Sequence, residues 1–426
     1  MSTEERDFIA IGLGPFNLGL ACLTEPIDDL DGVFLERKEE VDWHPGMLLP
    51  GTTMQVPFMA DLVTMADPTS PYSFLNYLKQ EERLYPFYIR ESFFPLRSEY
   101  QTYLKWAASR LSNLRFRHDV HRVTHADGLY TVHADTPEGE RTYRAPRLVL
   151  GTGPAPYVPE SFAPVADKVV HSGDYLHRRA EIQEGRSVTV VGSGQSAAEI
   201  YRDLLGDAVD GGYTVDWVTR SPRFFPMEYT KLTLELTSPE YVDYFHALPG
   251  SERDRLNRDQ KSLYKGINGE LIDEIYELLY QLDHDHGSVP TRLWTNSEVT
   301  ATAAGPAGAK LSVRHVEQER DFALDTEHIV ACTGYSYAIP GFLDPVRDRF
   351  RIDERGRFEA HRDYTVDADR SVFVQNAELA THGFVSPDLG MAAYRNAHLV
   401  RTMTGKEHYP IERRIAFQEF GTGENR

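Results

Sequence analysis

Cysteine is scarce in this chain: only Cys22 and Cys332 occur among 426 residues. Two isolated thiols supply neither a disulfide framework nor a thiolate metal cluster, and they lack the Cys-x-x-Cys dithiol that a disulfide reductase needs. Basic residues are also in deficit. Forty-five Lys and Arg face 65 Asp and Glu, and the resulting net charge of -20 repels phosphate backbones and anionic bilayers, which argues against nucleic acid and membranes as partners. No apolar run approaches the roughly 18 residues of a membrane helix. The segment from Met1 to Asp7 carries no basic and apolar leader pattern, so a cytoplasmic protein is expected. Metal-spaced His/Cys clusters, low-complexity tracts and helical repeats are likewise missing. What is present, 41% apolar and 26% charged residues, describes a globular chain of two or three domains, with order lost only in the polar stretch from Gly421 to Arg426.

One pattern occurs twice: a short apolar strand, a glycine-rich turn, and a helix opening on small or polar residues. The first copy runs from Phe8-Ile-Ala-Ile11 into Gly12-Leu-Gly14-Pro15-Phe-Asn17-Leu18-Gly19. The second runs from Val188-Thr-Val-Val191 into Gly192-Ser-Gly194-Gln195-Ser196-Ala197. Each is followed by a further strand-like run, which completes a βαβ unit. The prolines after Gly151-Thr-Gly153 mark a boundary, and the later strand Ile329-Val-Ala-Cys332 with Thr333-Gly334-Tyr335 is read as returning the chain to its first domain. The expected class is therefore α/β: two Rossmann-like dinucleotide-binding domains, the second inserted in the first, plus a small helical substrate lobe. The boundaries read 1–165 and 326–426 for the first domain, 166–235 and 286–325 for the second, and 236–285 for the lobe. Leu271, Ile272, Ile275, Leu278 and Leu279 recur there at helical spacing.

Glycine turns of this kind let backbone N–H groups and a helix dipole reach a pyrophosphate. In the first unit Gly12 and Gly14 serve the turn, and Asn17 stands where a third glycine is usual. Glu36, at the end of the next strand, is placed for ribose hydroxyls. In the second unit Gly192, Gly194 and Ala197 fit the fingerprint. Its following strand ends in Thr219-Arg220-Ser221 rather than an acid, donors suited to a 2′-phosphate and hence to NADPH rather than NADH.

With these turns on the page, the chain resembles the flavin-dependent N-hydroxylating monooxygenases that act on lysine, ornithine and related amines in siderophore biosynthesis, and most of all the diamine N-hydroxylases. Gly12-Leu-Gly14-Pro15-Phe-Asn17-Leu18 is similar to that family's FAD motif. Trp43-His44-Pro45-Gly46-Met47 and Met54-Gln55-Val56 resemble its flavin-side segment. Asp61-Leu-Val-Thr64, the block from Asp67 to Leu78, Thr333-Gly334-Tyr335 and the stretch from Thr381 through Asp388 and Gly390 resemble further family motifs.

The resemblance implies FAD and NADPH as cofactors, O2 and a small amine as substrates, and a homo-oligomer, tetramer or dimer. It also implies a reaction in which one oxygen atom passes to a neutral primary amine, giving a hydroxylamine and water. Gln55 is the side chain it singles out for arranging flavin, nicotinamide and amine. Ornithine-acting members carry a lysine for the substrate carboxylate where this chain reads Phe58-Met59-Ala60-Asp61. An unpaired buried carboxylate is costly, so Ala60 favours a decarboxylated substrate, cadaverine before putrescine. Lys265 and Asn268 are the other candidate substrate contacts, and Lys265 or Arg97 would serve the alternative, an L-lysine or L-ornithine side-chain N-monooxygenase.

Overall fold

The computed structural model describes residues 3–422; residues 423–426, in the tail expected to lose order, lie outside the described residues. Four apolar runs of three or four residues, Phe8–Ile11, Gly32–Leu35, Leu148–Leu150 and Val372–Val374, are buried along their whole length. Strands with no polar face need cover on both sides, which is the condition for a parallel sheet. They form one, in the order Val372–Val374, Leu148–Leu150, Phe8–Ile11, Gly32–Leu35, Leu114–Arg115. Alternate residues go to opposite faces. Phe8, Ala10 and Phe34 pack with the helices Pro15–Thr24, Arg97–Ala108 and Ala392–Thr404, whereas Ile9, Ile11, Val33 and Leu35 pack with Val123, Tyr130 and Val132 of an antiparallel sheet.

The second domain repeats the plan. Val169–His171, His328–Ala331, Ser187–Val191, Thr214–Val218 and Thr291–Trp294 form a parallel sheet in that order. One face carries the helices Gln195–Gly211 and Gly269–His286, and the other meets the antiparallel strands Ser297–Gly305, Gly308–His315 and Arg320–Thr326. No helix among the described residues is long and apolar enough to cross a membrane.

Two positions differ from the sequence-based boundaries. The strand at 328–331 does not return the chain to the first domain; it lies inside the second sheet, paired with both Val169–His171 and Ser187–Val191. Residues 160–165 also belong to the second domain, where Phe162 and Val165 pack with Val218 and Ile329. The two crossings meet instead at Ala155–Pro156 and Tyr335–Ser336, which pair antiparallel. The expected helices between 236 and 285 are present but have two homes. Pro239–Ala247 packs through Val242 and Phe245 on Phe384, Val385 and Met391, and Gly269–His286 packs through Ile275 on the second domain.

Candidate active site

Each glycine turn sits where a strand hands over to a helix, and the two are built alike. A Cβ at Gly12 would lie 2.6 Å from the Gly151 carbonyl oxygen, and one at Gly192 would collide with the Cys332 carbonyl. In both cases the glycine permits the turn to press against the residue that follows a neighbouring strand. A Cβ on Gly14, by contrast, would meet no protein atom within 4 Å, so the mouth of the turn is open. Neither Pro15–Thr24 nor Gln195–Gly211 has a side chain capping its N-terminus. No side chain competes with an anion at either helix start, and the helix dipoles favour one.

Asn17 shows why a third glycine is dispensable. Its Nδ2 donates to the Gly12 carbonyl at 2.7 Å, and its Oδ1 accepts from Gln375 Nε2 at 2.7 Å. The Gln375 Oε1 is buried without a partner among the described residues. The Glu36 carboxylate accepts from the amides of Leu13 at 2.7 Å and Lys38 at 2.9 Å, which ties the strand end to the turn and keeps the acid beside it. An open, uncapped turn with a buried acceptor and an acid at its rim fits a dinucleotide such as FAD. Leu18 is fully buried one turn further along the helix, and Pro15 occupies its first turn.

In the second domain Arg220 is at the end of Thr214–Val218 and its neighbour Thr219. Its side chain is 76% exposed and only 3.9 Å from Glu298, so its guanidinium remains available. The Ser221 hydroxyl donates to the Arg223 carbonyl at 2.9 Å. The uncapped turn at Gly194, where a Cβ would meet the Lys265 carbonyl oxygen at 3.4 Å, and this exposed donor fit a phosphorylated dinucleotide.

Between the domains, side chains converge from distant parts of the chain. Gln55 Nε2 donates to Gln195 Oε1 at 3.3 Å and lies 3.9 Å from the Met227 sulfur. The same Gln195 oxygen accepts from the Asn268 amide at 2.8 Å, and Gln195 Nε2 donates to Glu199 at 2.7 Å. Ser196 follows in the first turn of the helix. The His44 ring is 4.9 Å from Trp43 and 5.7 Å from Tyr335, whose ring is 5.1 Å from His171. His44 itself is held in the left-handed region, φ 51°. Thr333 and Gly334 form the crossing: the Thr333 hydroxyl donates to the Tyr157 carbonyl, and the Gly334 carbonyl is 2.9 Å from His171 Nε2.

The candidate substrate contacts are spread out. Ala60 is buried, with its amide bonded to the Pro57 carbonyl at 2.9 Å, and is outside the Gln55 network. The Asn268 side chain caps the helix Gly269–His286 by accepting from the Glu270 amide at 2.8 Å. Lys265 is exposed, its ammonium 5.3 Å from the Tyr264 ring centroid, and it makes no ion pair among the described residues. Arg97 is unavailable to a substrate carboxylate because it holds Glu199 with both terminal nitrogens, at 2.8 and 2.6 Å. Asp388 accepts from the Gly390 amide at 2.7 Å, and burial pushes its carboxyl pKa up.

Sequence reasoning missed Gln375 and Glu199. Nothing local marks Gln375, which lies 358 positions from Asn17. Glu199 follows the glycine turn closely in sequence, but its need for a cation comes from burial, with 3% of its side chain exposed, and no local pattern announces burial.

A profile of the L-lysine 6-monooxygenase/L-ornithine 5-monooxygenase family matches residues 4–337. A putrescine N-hydroxylase of Shewanella oneidensis is 51% identical over 421 residues, which span 97% of this chain and 84% of that protein. Among solved structures, the FAD-bound cadaverine monooxygenase of the desferrioxamine biosynthetic pathway from Erwinia amylovora superposes with a TM-score of 0.96 at 53% identity, covering 98% of each chain. The ornithine N-hydroxylase of Kutzneria sp. 744, solved with reduced FAD, NADP+ and L-ornithine, superposes with a TM-score of 0.86 at 29% identity, over 94% of this chain and 99% of that one.

Proposed function

The chain belongs to the L-lysine 6-monooxygenase/L-ornithine 5-monooxygenase family, and from that premise we propose that it N-hydroxylates one terminal amine of an aliphatic diamine, cadaverine first and putrescine second, for a hydroxamate siderophore. It is an enzyme that takes FAD and NADPH. Bound FAD would supply the redox chemistry for an overall reaction in which NADPH, a proton, O2 and the amine give NADP+, the hydroxylamine and water. The protein's part is to bind, orient and exclude water. Gly12, Gly14, Pro15, Asn17, Leu18 and Glu36 hold the flavin dinucleotide. Gly192, Gly194, Gln195 and Ser196 hold the NADPH pyrophosphate, and Arg220 with Ser221 its 2′-phosphate. Trp43, His44, Thr333, Gly334, Tyr335, Asp388 and Gly390 enclose the flavin.

A primary amine attacks only when neutral, and its ordinary pKa is about 10.4, so the site has to favour the deprotonated form by desolvation. Gln55 donates its amide to Gln195, and its Oε1 makes no hydrogen bond among the described residues. That oxygen would accept an amine N–H and so orient the nitrogen lone pair away from it.

The observation that carries the diamine reading is Ala60, a buried methyl at the position where the resemblance to ornithine-acting members implies a lysine for the substrate carboxylate. The similarity to a putrescine N-hydroxylase and a cadaverine monooxygenase supports the same reading. The unpaired Lys265 favours the alternative of an L-lysine or L-ornithine side-chain N-monooxygenase. The two separate in one assay: hydroxylamine formed from cadaverine, putrescine, L-lysine and L-ornithine, each offered with NADPH and O2. Hydroxylation confined to the diamines is expected, and efficient turnover of either amino acid overturns the reading of Ala60.

A further inference from the structure

Arg97 and Glu199 come from different domains and are almost completely shielded, with 12% and 3% of their side chains exposed. Arg97 opens the helix Arg97–Ala108 in the first domain, and Glu199 is in the opening turns of Gln195–Gly211 in the second. The guanidinium also donates to the Met47 carbonyl at 3.2 Å, and the Arg97 amide donates to the Thr52 carbonyl at 2.9 Å. Arg97 therefore grips residues 47–52, the loop that leads directly to Gln55. Glu199 in turn fixes Gln195, which accepts the Gln55 amide.

A buried bidentate pair is a poor device for stability alone, since desolvating both ions offsets much of their attraction; its geometric demand is what makes it specific. Here that demand falls across a domain boundary. Glu199 also places a negative charge on a helix whose N-terminus would receive a phosphate, and the Arg97 charge cancels it.

We propose that the Arg97–Glu199 pair is the joint that sets the nucleotide-presenting domain against the flavin-side loop, so that both residues are positioning residues for delivery of the nicotinamide to the flavin. This rests on the cofactor assignment made above but is independent of the amine. The pair acts through Gln195 and Gln55.

The test uses the FAD-loaded enzyme and three variants, Arg97→Gln, Glu199→Gln and the double substitution. Anaerobic reduction of the flavin by NADPH needs no amine, so the result stands whether or not the substrate reading does. The expected result is that each variant retains FAD and is reduced about tenfold or more slowly, the size of one lost charge-assisted hydrogen bond. Arg97→Gln binds NADP+ more weakly because the Glu199 charge is left bare, and the double variant recovers that affinity without recovering the reduction rate. Small-angle scattering without nucleotide gives a larger radius of gyration for all three. Reduction at the wild-type rate with an unchanged radius overturns the proposal, as does a double variant no better at binding NADP+ than Arg97→Gln. Should Arg97→Gln fail to fold, Glu199→Gln, which keeps shape and an acceptor oxygen, decides by the same two measurements.

Discussion

Asp61 illustrates how much one buried carboxylate can organise. It accepts from the Val63 amide at 2.9 Å, the Thr64 amide and hydroxyl at 2.6 Å each, and the Phe74 amide at 2.7 Å. Burial pushes its pKa up even so. Asp61→Ala strands those donors and is expected to cost about 2–4 kcal/mol in urea unfolding, with Asp61→Asn costing less because an acceptor remains. This local architecture accounts for its place in a family-like motif. Arg220 presents the opposite case, an exposed side chain with one distant partner. Arg220→Ala should raise the KM for NADPH about tenfold, a charged hydrogen bond's worth, and leave the KM for NADH nearly unchanged. Equal losses with both nucleotides would show that Arg220 does not read the 2′-phosphate. These residues were legible in the sequence because their signals are local: an acid ahead of a turn, or an arginine at a strand end.

The glycine turns were legible for the same reason, since strand, turn and helix are consecutive. What holds the first turn in shape was not. Asn17 bridges the Gly12 carbonyl and Gln375, and only the return of the chain at Val372–Val374 brings Gln375 there. Asn17→Ala leaves the Gln375 amide and the Gly12 carbonyl unpaired, and FAD retention measured by flavin absorbance after gel filtration should weaken about tenfold or more. The helices of the region 236–285 teach a similar lesson. Their 3.6-residue spacing was visible, but an apolar stripe does not say what it will pack against. The stripe of Gly269–His286 found the second domain, while Pro239–Ala247 found the segment at 384–391.

At the scale of the whole molecule, acid should be more damaging than a reading of surface charge suggests. His398 is buried beside Arg362 and Arg401, and burial first, then those two charges, lower its pKa to about 3. His382, fully buried and stacked on Tyr364, is lowered in the same direction. A histidine held neutral in the fold stabilises fully above its unfolded value near 6.5 and loses that contribution as pH falls through the folded value. Stability should therefore drop by about 1.4 kcal/mol per pH unit for such a group below pH 6.5. His398→Gln should flatten the fall of the thermal midpoint between pH 6.5 and 4.5. An unchanged slope in that variant would show that His398 does not control it.

Legible along the chain were the two glycine turns and the paired α/β plan, because each depends on residues adjacent in sequence or on the period of a strand or helix. The sequence also carried the contrast at Ala60, since an absent charge is visible without coordinates. Only the folded chain reveals that the strand at 328–331 lies between Val169–His171 and Ser187–Val191 in the second sheet, because a short buried apolar run has no face that names its neighbour. It alone decided that Arg97 is spent on Glu199 rather than offered to a substrate. Pairings between residues 102 positions apart follow from how the domains meet, and that is set by the summed fit of their surfaces, to which no local pattern gives access.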